Sequence, residues 1–118
     1  MKNVLQIRAV YADHVNLQAW IPDSLEAINI KITIEIGIRG EVGTNNFYFT
    51  LTTPESLRSR ADEKYFILEN RTIVVGYFDF KSLIKGLNSI VESCQSSSFE
   101  ESCILLTRYF HWEYEDYH

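Results

Sequence analysis

The chain has 118 residues, enough for one domain with its own core, and its 46% hydrophobic and 14% aromatic content excludes a disordered or low-complexity polypeptide. Its net charge of −5 is unevenly placed: residues 1–85 carry ten Lys and Arg against ten Asp and Glu, while residues 86–118 carry Arg108 alone against Glu92, Glu100, Glu101, Glu113, Glu115 and Asp116. An acidic field concentrated in the last 33 residues argues against nucleic acid as ligand, because phosphates need clustered cations, and suits a basic protein surface.

In chain order, Asn3 to Val10 predicts a first strand, with Val4 and the Leu5, Ile7 pair in imperfect alternation. Gln6 and Arg8 interrupt it before a signal-peptide core forms, and no apolar run is long enough to span a bilayer. The expectation is therefore a cytoplasmic location and no membrane partner. A loop through Asp13, His14 and Asn16 leads to Trp20, Ile21 and Pro22, where proline favours an extended approach, with Asp23 and Ser24 as punctuation.

The stretch AINIKITIEIGIRG places Ile28, Ile30, Ile32, Ile34, Ile36 and Ile38 alternately with polar residues, the pattern of one long half-buried antiparallel strand. A turn over Gly40 to Asn46 then joins it in a hairpin to NFYFTLTT, where Phe47, Phe49 and Leu51 alternate with Tyr48 and Thr50. Thr53, Pro54 and Glu55 open a short helix expected to end near Arg60. Further on, Tyr65 to Leu68 and Arg71 to Phe78 form a third strand region, whose run Thr72, Ile73, Val74, Val75 predicts a central strand.

Asp79 caps the longest expected helix, with Leu83, Ile84, Leu87, Ile90, Val91 and Cys94 in one apolar stripe. After a serine turn, Ser98 and Glu101 have the spacing of a capping box, starting a second helix near Phe99 with Phe99, Cys103 and Leu106 inward. No repeat or linker divides residues 1–118, so a single α+β domain is expected: an antiparallel sheet of about four to five strands with two main helices packed on one face.

Chemistry is sparse. His14, His111 and His118 stand apart from one another, Cys94 and Cys103 lack paired metal or redox spacings and follow helix stripes, and Ser96, Ser97 and Ser98 do not form a nucleophile elbow. The pair Glu113 and Glu115 suits glycoside hydrolysis only formally, since adjacent acids in a tail are ordinarily solvated. No catalytic residue, metal or cofactor is expected. Two stretches remain as carriers of partner specificity, the Gly40 to Asn46 connection and Ser59 to Lys64, because binding residues often sit on loops.

The ending RYFHWEYEDYH sets rings between carboxylates. In an extended tail Trp112 and Tyr114 face one way and Glu113, Glu115 and Tyr117 the other, so one side covers the core while the reverse presents acids and a phenol. Interface anchors favour Trp, Tyr and Arg within a polar rim. The candidate partner-binding residues are accordingly Arg108, Trp112, Tyr114 and Tyr117 as anchors, with Glu113, Glu115 and Asp116 as the electrostatic rim.

The series Tyr109, Trp112, Glu113, Tyr114, Glu115, Asp116 and Tyr117 resembles the C-terminal signature of the bacterial immunity protein 8 family. The segment IVVGYFDF with Tyr77 and Asp79, Cys94 at a helix end, and a serine-rich turn into a short acidic helix agree with it, whereas Phe99 stands where tryptophan is expected in many relatives. The resemblance implies a cytoplasmic antitoxin of a polymorphic or contact-dependent toxin system, whose partner is a cognate protein toxin; the acidic charge of the last 33 residues points separately to a basic nuclease as that toxin. It implies no active site and no cofactor, and it carries over no defined toxin-binding residues. The alternatives are a small enzyme or ligand-binding domain with a polar pocket, or an oligomerising module pairing through the edge of the isoleucine strand.

Overall fold

The isoleucine alternation sets the sheet. In a computed structural model, which describes residues 4–13, 15–22 and 24–115, strand β1 (Leu5–Tyr11) is followed by β2 (Asn29–Ile38) and β3 (Asn45–Thr52). β2 and β3 pair antiparallel, with Ile34 opposite Phe47, Ile32 opposite Phe49 and Ile30 opposite Leu51, so the Ile, Phe and Leu side chains of the two strands point to one face. Ile32, Ile34, Ile36, Phe47, Phe49 and Leu51 are essentially inaccessible to solvent. Each such side chain contributes roughly 1.5–3 kcal/mol of burial free energy.

β1 pairs with the other side of β2 through a bulge between Ile7 and Ala9. The extra residue switches parity, so that Ile7 lies opposite Ile36 and Val10 opposite Ile34, both on the core face. This explains the imperfect alternation of the first strand in the sequence. The freed Arg8 reaches across the hairpin, its Nη2 donating to the carbonyls of Ile38 (2.5 Å) and Glu41 (2.6 Å).

The far edge of β3 is shared by two short strands. After helix α1 (Pro54–Lys64), β4 (Thr72–Val74) runs parallel beside Thr50–Thr52, and β5 (His111–Trp112) runs antiparallel beside Phe47 and Tyr48. The result is a five-stranded mixed sheet, mostly antiparallel, in an α+β domain. Parallel pairing follows from the intervening helix, which acts as a crossover. The expected antiparallel sheet holds apart from this one pairing, and one expectation is corrected: the run Thr72 to Val75 is an edge strand rather than a central one. Its β-branched residues are not buried on both sides, for Ile73 faces the core while Val74 is 51% exposed.

All three helices begin where the sequence places caps. The Thr53 hydroxyl accepts from Ser56 N, the Asp79 carboxylate from Ser82 N, and the Ser98 hydroxyl from Glu101 N. α1 continues to Lys64, one turn past Arg60, so Ser59–Lys64 is helical and not a loop. α2 (Phe80–Ser93) buries Leu83, Leu87 and Val91, and α3 (Phe99–Leu106) buries Cys103 and Leu106, all in the cluster built on the Ile and Phe face. The expected strand start at Asn3 and the loop residues His14 and Asp23 lie outside the described residues.

The hairpin loop folds back over β2, with Gly40 (φ 85°) and Gly43 (φ 98°) in left-handed conformations that favour glycine. A Cβ on buried Gly37 would sit 2.6 Å from the Gly43 carbonyl oxygen, too close for any side chain. Gly37→Ala is therefore expected to lower stability by about 1–3 kcal/mol as the loop is forced away. A reduced urea midpoint at unchanged m-value checks this.

Candidate functional site

The C-terminal tail is seated on β3 by backbone and side-chain bonds together. Glu113 N donates to the Asn46 carbonyl (3.1 Å), while the Glu113 carboxylate accepts from Asn46 N (2.9 Å), so one residue satisfies both backbone groups of Asn46. The Trp112 indole N–H donates to Asn45 Oδ1 (3.0 Å), and its ring stacks on Phe47 with centroids 6.2 Å apart and planes 9° apart. Trp112 is 8% exposed and belongs to the core cluster. Phe110, fully buried, fills the space beneath Phe47 and Phe49.

Beyond Trp112 the extended run stops, and Glu113 and Tyr114 form a turn. The expected alternation of Trp112 with Tyr114 on one face therefore does not continue. Instead the Tyr114 ring stands edge-on to Trp112 at 6.1 Å, with Tyr114 46% exposed. Glu115 turns back, accepting from Trp112 N (3.2 Å) and from Arg71 Nη1 (2.7 Å).

Arg71 was not singled out in the sequence, yet it joins the two strands that share β3's edge. It stands at the start of β4 with φ 49°, and its Nη1 meets both Glu115 Oε1 and His111 Nδ1 (2.8 Å). An arginine only donates, so Nδ1 of His111 is the acceptor in this contact. The signal available in sequence was the turn pair Glu69, Asn70 ahead of the β-branched run, which marks a backbone bend but not its cross-strand partner. The Arg71 guanidinium beside Glu115 holds that carboxyl below its usual range, against burial, which pushes it up; the Trp112 N–H adds to the lowering.

Of the seven sequence candidates, the structure brings Trp112, Glu113, Tyr114 and Glu115 together on the edge formed by β3 and β5. Arg108 is exposed after α3, and Asp116 and Tyr117 lie outside the described residues, as does His118. The Gly40–Asn46 connection is a loop only to Thr44, with Asn45 and Asn46 in β3 receiving the tail; Val42 at its tip is fully exposed.

The sheet face opposite the core carries Tyr11, Lys31, Thr33, Glu35, Tyr48 and Thr50, alternating with the buried positions. The Lys31 ammonium lies over the Tyr48 ring at 4.8 Å, and the Tyr11 hydroxyl, bonded to Glu35, is pushed up first by burial. Beside it a shallow cleft is lined by Thr50, Thr72, His111, Glu69 and Arg60. Arg60 pairs with Glu69 there, so the cleft's cation is already matched. Burial pushes the Cys94 thiol up and that of Cys103 to about 12, which leaves both protonated at neutral pH. Among the described residues no group of three His, Cys, Asp or Glu is arranged to hold a metal ion, and no helix is long and apolar enough to cross a membrane.

The family model described as Immunity protein 8 matches residues 5–117, nearly the whole chain. The chain belongs to the Immunity protein 8 family. No curated protein and no solved structure matches it. As a member of that family it is an immunity protein, whose partner is a cognate toxin. Within this immunity protein, Trp112, Glu113 and Glu115 are first of all residues that finish the fold.

Two outcomes follow. Because the Glu115 pKa is lowered on folding, its contribution is present above the unfolded carboxylate value of about 4.3 and is lost as pH falls through the lower folded value. Wild type should exceed Glu115→Gln in stability by a constant amount under about 1 kcal/mol above pH 5, given a partly exposed pair, and the gap should close below pH 4. Urea titrations across that range check it. Cys94 and Cys103 should resist a thiol reagent in the native protein at pH 8 and both react on unfolding, as counted by absorbance.

Proposed function

We propose that this immunity protein neutralises its toxin by stoichiometric binding, without chemistry of its own, and that the toxin is a nuclease with a positively charged substrate cleft. Family membership carries the toxin partner. The nuclease reading is supported by the acidic excess: the whole net charge of −5 resides in the last 33 residues, a field that steers a basic protein toward the inhibitor and discriminates between partners.

The binding surface we propose includes the tail, through Arg108, Tyr114 and Tyr117 as anchors and Glu113, Glu115 and Asp116 as an acidic rim. Trp112 takes part from below, since its ring supports Tyr114 edge-on and its backbone holds Glu115 in place. Tying Glu113 to Asn46 and Glu115 to Arg71 fixes both carboxylates before any encounter, which lowers the ordering cost of binding. Both remain partly solvent-accessible.

The test uses the cognate toxin domain, to be sought in the reading frames neighbouring this gene. Co-expression should restore growth, and an equimolar amount of the protein should stop degradation of nucleic acid by the purified domain. Replacing Glu113 and Glu115 together by Gln keeps an acceptor oxygen at each bond and removes two charges. The double variant should associate with the toxin several-fold to about tenfold more slowly at low salt and at nearly the wild-type rate at high salt, in stopped-flow measurements. Equal rates at low salt would remove these acids from the interface, and a toxin domain without nuclease activity would remove the nuclease reading.

A further inference from the structure

The far side of β4 is built differently from the rest of the surface. Arg71 O accepts from Thr50 N and Val75 N donates to Thr52 O, so in this parallel ladder the odd residues bond to β3. The N–H and C=O groups of Thr72 and Val74 consequently point to the side where, among the described residues, β4 has no ladder partner. In the chain, Tyr65, Phe66 and Leu68 precede β4, Val74 lies on it and Tyr77 follows it, five large apolar side chains between 51% and 92% exposed within thirteen residues of sequence.

The core is also unfinished here. Between β4 and α2 lies a cleft of about 310 Å³, lined by Ile73, Val75, Tyr77, Leu83, Leu87 and the helical Gly86. Leu83 and Leu87 are core residues, so the cleft is an opening into the hydrophobic cluster and not a separate cavity. A Cβ added at Gly86 would meet nothing within 4 Å. Asp79, the cap of α2, stands at the same cleft.

We infer that an extended segment of the toxin adds to the free edge of β4 and places an apolar side chain in the cleft between β4 and α2. This rests on the toxin-binding reading above and names the part of the toxin that is held. An added strand supplies backbone partners to Thr72 and Val74 while its alternate side chains turn to the core face, where the cleft lies. Charge selects the occupant: the Asp79 carboxylate at the cleft favours a basic neighbour of the inserted residue, whereas a second copy of this chain, also at −5, would bring the same acid to the contact. The edge is continuous with the tail, because Arg71 at the head of β4 bonds Glu115. One side of the molecule thus presents an apolar centre with an acidic flank.

Two variants separate this from a structural role. Gly86→Leu fills the cleft and raises helix propensity, so it should melt no lower than wild type. Val74→Pro deletes an edge donor that β3 does not use. Binding to a catalytically inactivated variant of the cognate toxin domain is measured by calorimetry, with melting temperature and sedimentation of each protein alone. The inference expects Gly86→Leu to weaken binding tenfold or more without a lower melting temperature, and Val74→Pro, where it folds, to do the same. Affinity of Gly86→Leu within twofold of wild type overturns it while leaving the immunity reading intact. A wild-type dimer that Gly86→Leu dissociates overturns it in favour of a second copy, and a wild type that fails to bind the toxin domain overturns both.

Discussion

The register of β2 on β3 is the constraint from which the remaining structure follows. Pairing Ile34 with Phe47, Ile32 with Phe49 and Ile30 with Leu51 puts all the hairpin's large apolar residues on one face; a slip of one residue would turn them to solvent. Helices α2 and α3 then bury Leu83, Leu87, Cys103 and Leu106 in the same cluster, and β1 adopts a bulge so that Ile7 and Val10 both contribute to it. The tight hairpin loop over Gly37, braced by Arg8, fixes that register at its end.

With β2 occupying one side of β3, only its far edge remains, and that edge accommodates two short strands end to end. β4 arrives in parallel through the α1 crossover and β5 returns antiparallel from α3, so residues forty positions apart meet at Arg71, His111 and Glu115. Charge in the tail is thereby spent partly on architecture. Glu113 and Glu115 seat the chain on β3 and stay partly accessible. The same arrangement leaves β4 short, unpaired on one side and bordered by an opening into the core.

Much of this was legible in the sequence. The isoleucine alternation named its own buried face, and the three helix starts were readable because Thr53, Asp79 and Ser98 each bond a backbone N–H three residues on, a purely local interaction. The candidate tail was recognisable from its residue types, and its assignment to an immunity family followed. What escaped was everything set by a distant partner. The run Thr72 to Val75 has the composition of a central strand, but its position depends on which edge β3 had left. Arg71 carries no local mark of meeting Glu115, and the open cleft beside Gly86 depends on how α2 crosses the sheet.

The sequence by itself determined the α+β class, the hairpin and its buried face, the helix starts and the acidic, aromatic ending, because these depend on periodicity and on bonds spanning a few residues. Only the tertiary structure decided that β4 lies at an edge, that Trp112 is core while Tyr114 is half open, and that Glu113 and Glu115 face Asn46 and Arg71. Those outcomes require segments far apart in the chain to compete for one strand edge, and residue order records no such competition.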